Sequence, residues 1–216
     1  MLKIKRLSEP DSLRINAKGW AKELMKKIVE EGSYSAVESK YKDRYRQDDV
    51  LERLKEMNSG LCCYCETKIN AASYPHIEHR KPKSLFPEDS FQWENLHLAC
   101  QICNTKKRDQ WNEEHEILDS CLDTPADHLK YSFARLDYIT DRGRTTIELC
   151  KLNRKGLLEA RKLIAGEIME LINDYSIEND EDRKFQIREK LEEYSDNLSE
   201  YNSMIHSLIS KYLNHS

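Results

Sequence analysis

Residues 76–108 read HIEHRKPKSLFPEDSFQWENLHLACQICNTKKR, and their Cys100-x2-Cys103 pair repeats the spacing of Cys62-x2-Cys65 upstream. A C-x2-C turn presents two thiolates on one side of a tight loop, and zinc prefers a tetrahedral set of such ligands. The sequence therefore predicts a zinc site made of all four cysteines. We expect this zinc to be structural, because a closed four-thiolate shell leaves no open position for a substrate.

The two cysteine pairs are separated by 34 residues. This exceeds the roughly 15–20 residues of a common zinc ribbon, so a plain ribbon does not explain the insert between them. Cys63 lies inside the first pair, but only Cys62 has the x2 spacing to Cys65. We interpret the three remaining cysteines as small buried hydrophobic residues: Cys63, Cys121 and Cys150.

Polar residues suited to hydrolytic chemistry lie within this insert. Glu78 and His79 are adjacent, Asn95 follows after 15 intervening residues, and Asn104 follows Cys103 directly. Carboxylate and amide oxygens are hard ligands suited to Mg²⁺ or Mn²⁺. A neutral imidazole beside such a cation is suited to deprotonating a water molecule. We expect His76 to be a satisfied polar residue, with a metal role as the alternative, and His97 to pack or to brace the loop beside Asn95.

Basic residues flank both ends of the insert, and we expect them to contact phosphates of a nucleic acid. A solvated basic face is the alternative. The residues concerned are Arg80, Lys81, Lys83, Lys106, Lys107 and Arg108.

The order Cys-x2-Cys, Glu-His, Asn, Cys-x2-Cys-Asn over residues 62–104 resembles that of HNH, or ββα-metal, endonucleases with a four-cysteine zinc site. The resemblance implies that His79 is the general base and that Asn95 pins the loop that orients it. It also implies that Glu78 and Asn104 hold a catalytic Mg²⁺ or Mn²⁺, although Asn104 replaces the final His of the family name. Neighbours on a regular strand face opposite sides, so Glu78 and His79 can serve one site only at a strand end or bulge.

Further stretches resemble the HNH subunit of Septu-type and retron-associated anti-phage systems. They span Ile4 to Arg161, about three quarters of the chain. The resemblance implies that the protein works with an ABC-type ATPase that controls it. The stretches are IKRLSEP (4–10), GLCCYCE (60–66), HIEHRKPKS (76–84), WENLHLACQICNTKK (93–107) and TTIELCKLNRKGLLEAR (145–161).

The sequence predicts a mainly α (α+β) fold with a zinc-stapled ββα-metal core. We expect four segments: an N-terminal arm and helices (1–60), the HNH core (61–111), a short β-containing segment (112–153) and a C-terminal helical hairpin (154–216). Periodicity and capping signals predict the local elements. They are a surface arm at 1–16, helices at Ala17–Glu31 and Val50–Met57 with Asp49 as an N-cap, and strands within His128–Ile139 and Thr145–Leu149.

The last third carries an apolar stripe with a 3.5-residue repeat. Its members are Ile187, Leu191, Tyr194, Leu198, Tyr201, Ile205, Leu208 and Tyr212. The stripe predicts either internal packing against residues 157–171 or a docking surface for another chain. Residues 176–200 carry nine acidic and four basic side chains, a net charge of -5, which favours a protein partner such as the ATPase over nucleic acid.

Composition limits the remaining functions. The net charge of the 216 residues is -4, so nucleic-acid binding must come from a local basic patch. No apolar run is long enough for a membrane span, and the first residues lack the apolar region of a signal peptide. We therefore expect a cytoplasmic protein with no membrane contact.

Two alternatives to a DNA nuclease remain open. One is an enzyme that cleaves RNA, for example tRNA, and the other is a non-catalytic zinc module that binds nucleic acid or a partner.

Overall fold

A computed structural model describes residues 1–69, 74–196 and 199–213. The helices are α1 (Asp11–Glu31), α2 (Ser39–Lys42), α3 (Asp48–Met57), α4 (Gln101–Lys107), α5 (Asp141–Leu149), α6 (Lys155–Ile177), α7 (Glu181–Asp196) and α8 (Asn202–Leu213). The strands are β1 (Pro75–His79), β2 (Leu96–Cys100), β3 (Leu129–Ser132) and β4 (Arg135–Tyr138), and they form two antiparallel pairs, β1–β2 and β3–β4. The predicted class, mainly helical with small sheets around a cysteine cluster, is confirmed.

The N-terminal residues pack into the fold, so the prediction of a surface arm at 1–16 is wrong. Met1 and Ile4 are buried, and α1 begins at Asp11, six residues earlier than predicted. Arg6 donates hydrogen bonds to the backbone carbonyls of Trp93 and Leu96, at 3.0 and 2.6 Å. These hydrogen bonds tie the N-terminal residues to the backbone at the start of β2.

The prediction that Asp49 caps α3 is wrong. The N-cap residue is Gln47, and the Asp49 carboxylate instead accepts hydrogen bonds from the backbone N–H and the hydroxyl of Ser12. Ser12 lies in the first turn of α1, where N–H groups lack partners within the helix. A side chain from one helix thus caps another, which a local capping pattern does not reveal.

The strand predicted at Thr145–Leu149 is wrong, because these residues belong to α5. Thr140 caps this helix by accepting a hydrogen bond from the Gly143 N–H at 3.3 Å. A Cβ atom at Gly143 would lie 2.2 Å from the backbone oxygen of His128, so only glycine allows this close approach. The predicted run His128–Ile139 does contain the hairpin β3–β4.

The described part of the C-terminal third contains three helices, whereas the sequence predicted a two-helix hairpin. The apolar stripe continues from α7 into α8, and its members Leu191, Tyr201, Ile205 and Leu208 are buried. Both helices pack against α6, so the internal-packing alternative is confirmed for these side chains. The stripe residue Leu198 lies outside the described residues. Within the described ranges, no helix combines the length and apolarity that a bilayer span requires.

Candidate active site

β1, β2 and α4 form a compact unit that carries half of the predicted site residues. β2 runs antiparallel to β1, with Leu96 opposite His79 and Cys100 opposite Pro75. α4 begins directly after β2 and packs on both strands. The unit therefore presents the second cysteine pair at one end and His79 at the other.

The four predicted cysteines meet at the first end. Their Sγ atoms all lie within 4.8 Å of one another, and all four residues are buried. The Sγ atoms of Cys65 and Cys100 are 3.8 Å apart. A tetrahedral zinc with Zn–S bonds of about 2.3 Å separates its sulfur atoms by about 3.8 Å, so the donor set and its spacing fit a structural zinc ion.

Arg154, at the start of α6, contacts this cluster. Its two Nη atoms lie 3.6 Å from Cys103 Sγ and 3.8 Å from Cys65 Sγ. Burial alone would lower the pKa of Arg154, but the neighbouring sulfur atoms raise it above its usual value. A four-thiolate zinc site carries a net charge of -2, and the guanidinium offsets part of this charge.

His79 lies at the end of β1, where its side chain is only 6% exposed. Its Nε2 is 2.9 Å from the backbone oxygen of Ser90. A carbonyl oxygen can only accept, so Nε2 carries the proton and Nδ1 is the acceptor nitrogen. The Tyr45 ring packs edge-on against the imidazole, with centroids 4.5 Å apart. Burial lowers the pKa of His79 to about 3, so the ring is neutral at physiological pH.

Asn95 joins the two ends of the loop between β1 and β2. Its Oδ1 accepts a hydrogen bond from the Lys81 N–H at 2.8 Å. Its Nδ2 donates to the backbone oxygens of Lys81 and Asp89, at 3.0 and 3.2 Å. The loop that these contacts hold together includes Ser90, whose backbone oxygen lies 2.9 Å from His79 Nε2.

Glu78 is buried and faces α4 and the first cysteine pair. Its Oε1 lies 2.7 Å from Lys107 Nζ and accepts a hydrogen bond from the Tyr64 hydroxyl at 3.3 Å. Burial raises the pKa of Glu78, and Lys107 and Tyr64 oppose that shift. Lys107 Nζ also donates to the backbone oxygen of His79 at 2.7 Å.

Asn104, on α4, contacts β1 through its amide group. Its Nδ2 donates to Nδ1 of His76 at 2.8 Å, which leaves the amide oxygen Oδ1 as the remaining acceptor. Burial and the nearby charge of Arg46 lower the pKa of His76, so this imidazole is neutral and can accept the bond.

One cleft of about 280 Å³ is bordered by the three residues expected to act together, Glu78, His79 and Asn104. Its other walls come from Tyr34, Tyr45 and Arg46 of the N-terminal segment and from Lys83 and Arg108. The chemistry available there is an acceptor imidazole, a carboxylate, an amide oxygen and several cations.

The six basic residues differ in their surroundings. Arg80 is nearly buried between Glu116 and Asp119, Lys81 pairs with Asp89, and Lys83 pairs with Asp43. Lys106 and Arg108 are exposed. Lys107 is fully buried against Glu78, so we reassign it from phosphate contact to a structural ion pair.

His97 belongs to a buried network behind the strand pair and not to the cleft. Its Nε2 lies 3.2 Å from Arg6 Nη2 and 3.7 Å from Asp119 Oδ2. His97 and Asp119 cluster with Cys121 closely enough to hold a metal, but the two cations Arg6 and Arg80 already occupy this site. These contacts agree with the expectation that His97 packs within the fold, whereas its bracing of the loop beside Asn95 stays a prediction.

Sequence reasoning missed Tyr45, Arg46 and Arg154. Tyr45 and Arg46 lie in a polar stretch before α3 without a recognisable motif, so no local signal connects them to His79. Arg154 lies within the resemblance stretch 145–161, but nothing in that stretch identifies it as a neighbour of the cysteines.

Residues 62–110 match the family model of HNH endonucleases, and this region of the chain is an HNH domain. Among curated proteins, the chain is similar to Septu protein PtuB of Bacillus mycoides (strain KBAB4), 28% identical over 58% of this chain and 54% of that protein. It is also similar to Septu protein PtuB of Bacillus thuringiensis, 32% identical over 52% of this chain and 44% of that protein.

A weaker similarity relates the chain to Septu protein PtuA of Bacillus mycoides (strain KBAB4), 22% identical over 66% of this chain and 24% of that protein. The chain spans about half the length of the PtuB relatives that it matches. The predicted resemblance to a Septu-type HNH protein is confirmed.

Proposed function

We propose that the chain is a metal-dependent endonuclease that hydrolyses phosphodiester bonds of DNA in the cleft beside His79. The observation that carries this proposal is the hydrogen bond between His79 Nε2 and Ser90 O, 2.9 Å, which leaves Nδ1 as a proton acceptor. A non-catalytic zinc module would need the four cysteines, but it would have no use for an imidazole held in one tautomer beside a cleft.

In this proposal His79 acts as the general base. A water oxygen attacks phosphorus, the water proton passes to Nδ1, and the bond to the leaving sugar oxygen breaks, after which that oxygen takes a proton from solvent. Burial keeps the imidazole neutral before substrate binds. An anionic phosphate in the cleft then favours the protonated ring, so proton uptake becomes easier when substrate is present.

Glu78 and Asn104 are the residues that would hold the catalytic cation. One carboxylate oxygen and one amide oxygen fit Mg²⁺ or Mn²⁺, which keep water and substrate phosphate as their other ligands. Burial raises the pKa of Glu78, and the hydrogen bonds from Lys107 and Tyr64 oppose that rise. A bound divalent cation would supply positive charge against the charge that develops on the phosphate.

A cleavage assay on plasmid DNA, phage DNA and tRNA, with Mg²⁺, Mn²⁺ or EDTA, tests the activity and the substrate. We expect the wild-type protein to cut DNA only with a divalent cation, whereas cleavage of tRNA alone would establish the RNA alternative. His79→Ala should lower the rate by about 10²–10⁴ or more. His115 lies outside the cleft, so His115→Ala serves as the matched control. Equal cleavage rates for the two variants would exclude His79 as the base.

We further propose that the protein is the nuclease effector of an anti-phage complex with an ABC-type ATPase. The similarity to Septu proteins PtuB and PtuA supports this assignment. The stripe side chains that are buried against α6 are not free to dock a partner, so the exposed acidic face of α7 is the better candidate. Glu189 and Asp182 lie on this face, and both are exposed.

Co-expression with a Septu-type ATPase tests that surface. Asp182→Lys with Glu189→Lys should abolish co-elution of the two proteins, because the charge of the face is reversed without uncovering the core. Glu170→Lys, an exposed residue of α6, is the control. Undiminished co-elution of the double variant would assign docking to another surface.

A further inference from the structure

The cleft beside His79 continues into a second hollow of about 370 Å³ along the face of β1. The two share four lining residues, Tyr45, Arg46, Ile77 and Asn104. Together they form one groove, which we call the β1 groove. Arg46 stands at its middle, although it lies outside the residues that match the HNH family.

Arg46 is exposed, and an aromatic side chain orients it. Its Nε lies 3.2 Å from the Tyr45 hydroxyl, and its guanidinium carbon is 5.6 Å from the centre of the Tyr45 ring. The carboxylate of Asp43 is 4.0 Å from Nε and already accepts a hydrogen bond from Lys83 at 2.6 Å. Among the described residues, neither Nη atom of Arg46 makes a hydrogen bond, so its forked donors are available to a ligand.

Three other cations near the cleft are paired with neighbouring carboxylates, whereas Arg108 at its edge is exposed. Lys107 pairs with buried Glu78, Lys83 with Asp43, and Arg80 with two acidic residues. These charges are used within the fold, whereas the charge of Arg46 faces the groove. A guanidinium fork matches two oxygens of a phosphate group, which makes it a selective anion ligand.

Tyr45 connects this guanidinium to the proposed base. The centre of the Tyr45 ring lies 4.5 Å from the centre of the His79 ring and 5.6 Å from the guanidinium carbon of Arg46. The guanidinium carbon and the centre of the His79 ring are therefore at most about 10 Å apart, a span that includes the spacing of adjacent phosphates on one strand. A strand whose scissile phosphate lies beside His79 would bring a neighbouring phosphate to Arg46.

We propose that Arg46 forms a second phosphate subsite, which binds the phosphate next to the scissile one on the same strand. The subsite rests on the proposed nuclease function and adds a residue from the N-terminal segment to substrate binding. It positions the strand across His79 and takes no part in bond breaking.

Binding is measured with a labelled oligonucleotide of the class that the wild-type protein cuts, in the His79→Ala background so that the probe stays intact. Adding Arg46→Ala should weaken binding about tenfold at low salt and reduce the slope of log affinity against log salt by about one. The melting temperature should not change, because the side chain is exposed. Arg53→Ala, with the same loss of charge on the surface of α3, should leave affinity nearly unchanged.

A second measurement identifies the phosphate. Once the cut position is mapped, single neutral methylphosphonate groups are placed at each phosphate around it. At one position beside the scissile bond, the neutral group should weaken binding to the protein that retains Arg46 but not to the Arg46→Ala protein. This is the result that a double-mutant cycle gives when Arg46 contacts that phosphate.

Equal affinity and salt slope with and without Arg46, or an equal loss in Arg53→Ala, would overturn the subsite while leaving the nuclease assignment intact. The subsite is also overturned, and the nuclease assignment kept, if every methylphosphonate position changes the affinity of the two proteins equally. A wild-type protein that neither binds nor cuts DNA or RNA overturns the proposed function, and the subsite with it.

Discussion

Lys107 Nζ lies 2.7 Å from Glu78 Oε1, and both side chains are buried, at 0% and 3% exposure. This ion pair joins α4 to the end of β1, so the helix that carries Asn104 is held against the strand that carries His79. β1 ends at His79, so Glu78 and His79 can border one cleft, while Glu78 also meets Lys107 and His79 packs against Tyr45.

Removing the cation from this pair should destabilise the fold. In Lys107→Met the Glu78 carboxylate stays buried without a counter-charge, so we expect the free energy of unfolding to fall by about 3–5 kcal/mol. Denaturant unfolding measures this loss. The double variant Glu78→Gln with Lys107→Met should recover much of it, and equal losses in the two proteins would show that the ion pair is not the cause.

The same variant should show a characteristic pH dependence. Without Lys107, burial raises the pKa of Glu78 further above its usual value of about 4.3. A raised pKa in the folded state favours the protonated form of Glu78. The loss in free energy of unfolding of Lys107→Met relative to wild type should therefore be smallest below pH about 4.3 and should grow as pH rises. Unfolding curves at pH 4.5 and pH 8 test this, and a deficit that shrinks with rising pH contradicts it.

Loss of one cysteine should release zinc and unfold the HNH domain. Binding energy at a structural zinc site is folding energy, about 10–16 kcal/mol in small zinc peptides, so Cys100→Ser should lose both metal content and its cooperative melting transition. Metal analysis and thermal melting measure these changes. Cys121→Ser lies outside the four-cysteine cluster and should retain zinc, whereas full occupancy in Cys100→Ser would refute the assignment.

Asp119 should stabilise the fold at neutral pH but not in acid. Burial would raise its pKa, but His97, the Cys121 N–H and Arg80 hold that pKa well below its usual range. Its contribution is therefore present above pH about 3.9 and is lost as pH falls further. We expect Asp119→Asn to cost about 2 kcal/mol at pH 7 and progressively less below pH about 4. The exposed Asp174→Asn should change little at either pH.

Two glycines provide a packing test. Gly143→Ala would place Cβ 2.2 Å from the His128 oxygen, so α5 must shift and the melting temperature should fall by several degrees. Gly166 lies in the middle of α6, where an added Cβ would meet no atom within 4 Å outside the neighbouring backbone of its own helix. Gly166→Ala should therefore leave the stability unchanged or raise the free energy of unfolding by about 0.5–1 kcal/mol. Similar melting temperatures for the two variants would argue against the close approach at Gly143.

Local patterns predicted most of α1 and α3 and the cysteine cluster, but not every element. The run Thr145–Leu149 has β-branched residues typical of a strand, yet Thr140 caps a helix there and Gly143 lets that helix pack against the backbone oxygen of His128. Asp49 has the pattern of a cap for its own helix, yet it bonds Ser12 of another helix. In both cases a tertiary contact outweighs local propensity.

The sequence by itself determined the four zinc-ligand candidates and the order of His79, Asn95 and Asn104, because these features depend on residue type and short spacing. Only the tertiary structure decided that Lys107 turns inward to Glu78 and that Tyr45 and Arg46 border the cleft. These contacts join segments about 30 residues apart in the chain, and no local periodicity encodes such pairings. They form only when α3, β1 and α4 bury their apolar faces in one core, which brings those side chains together.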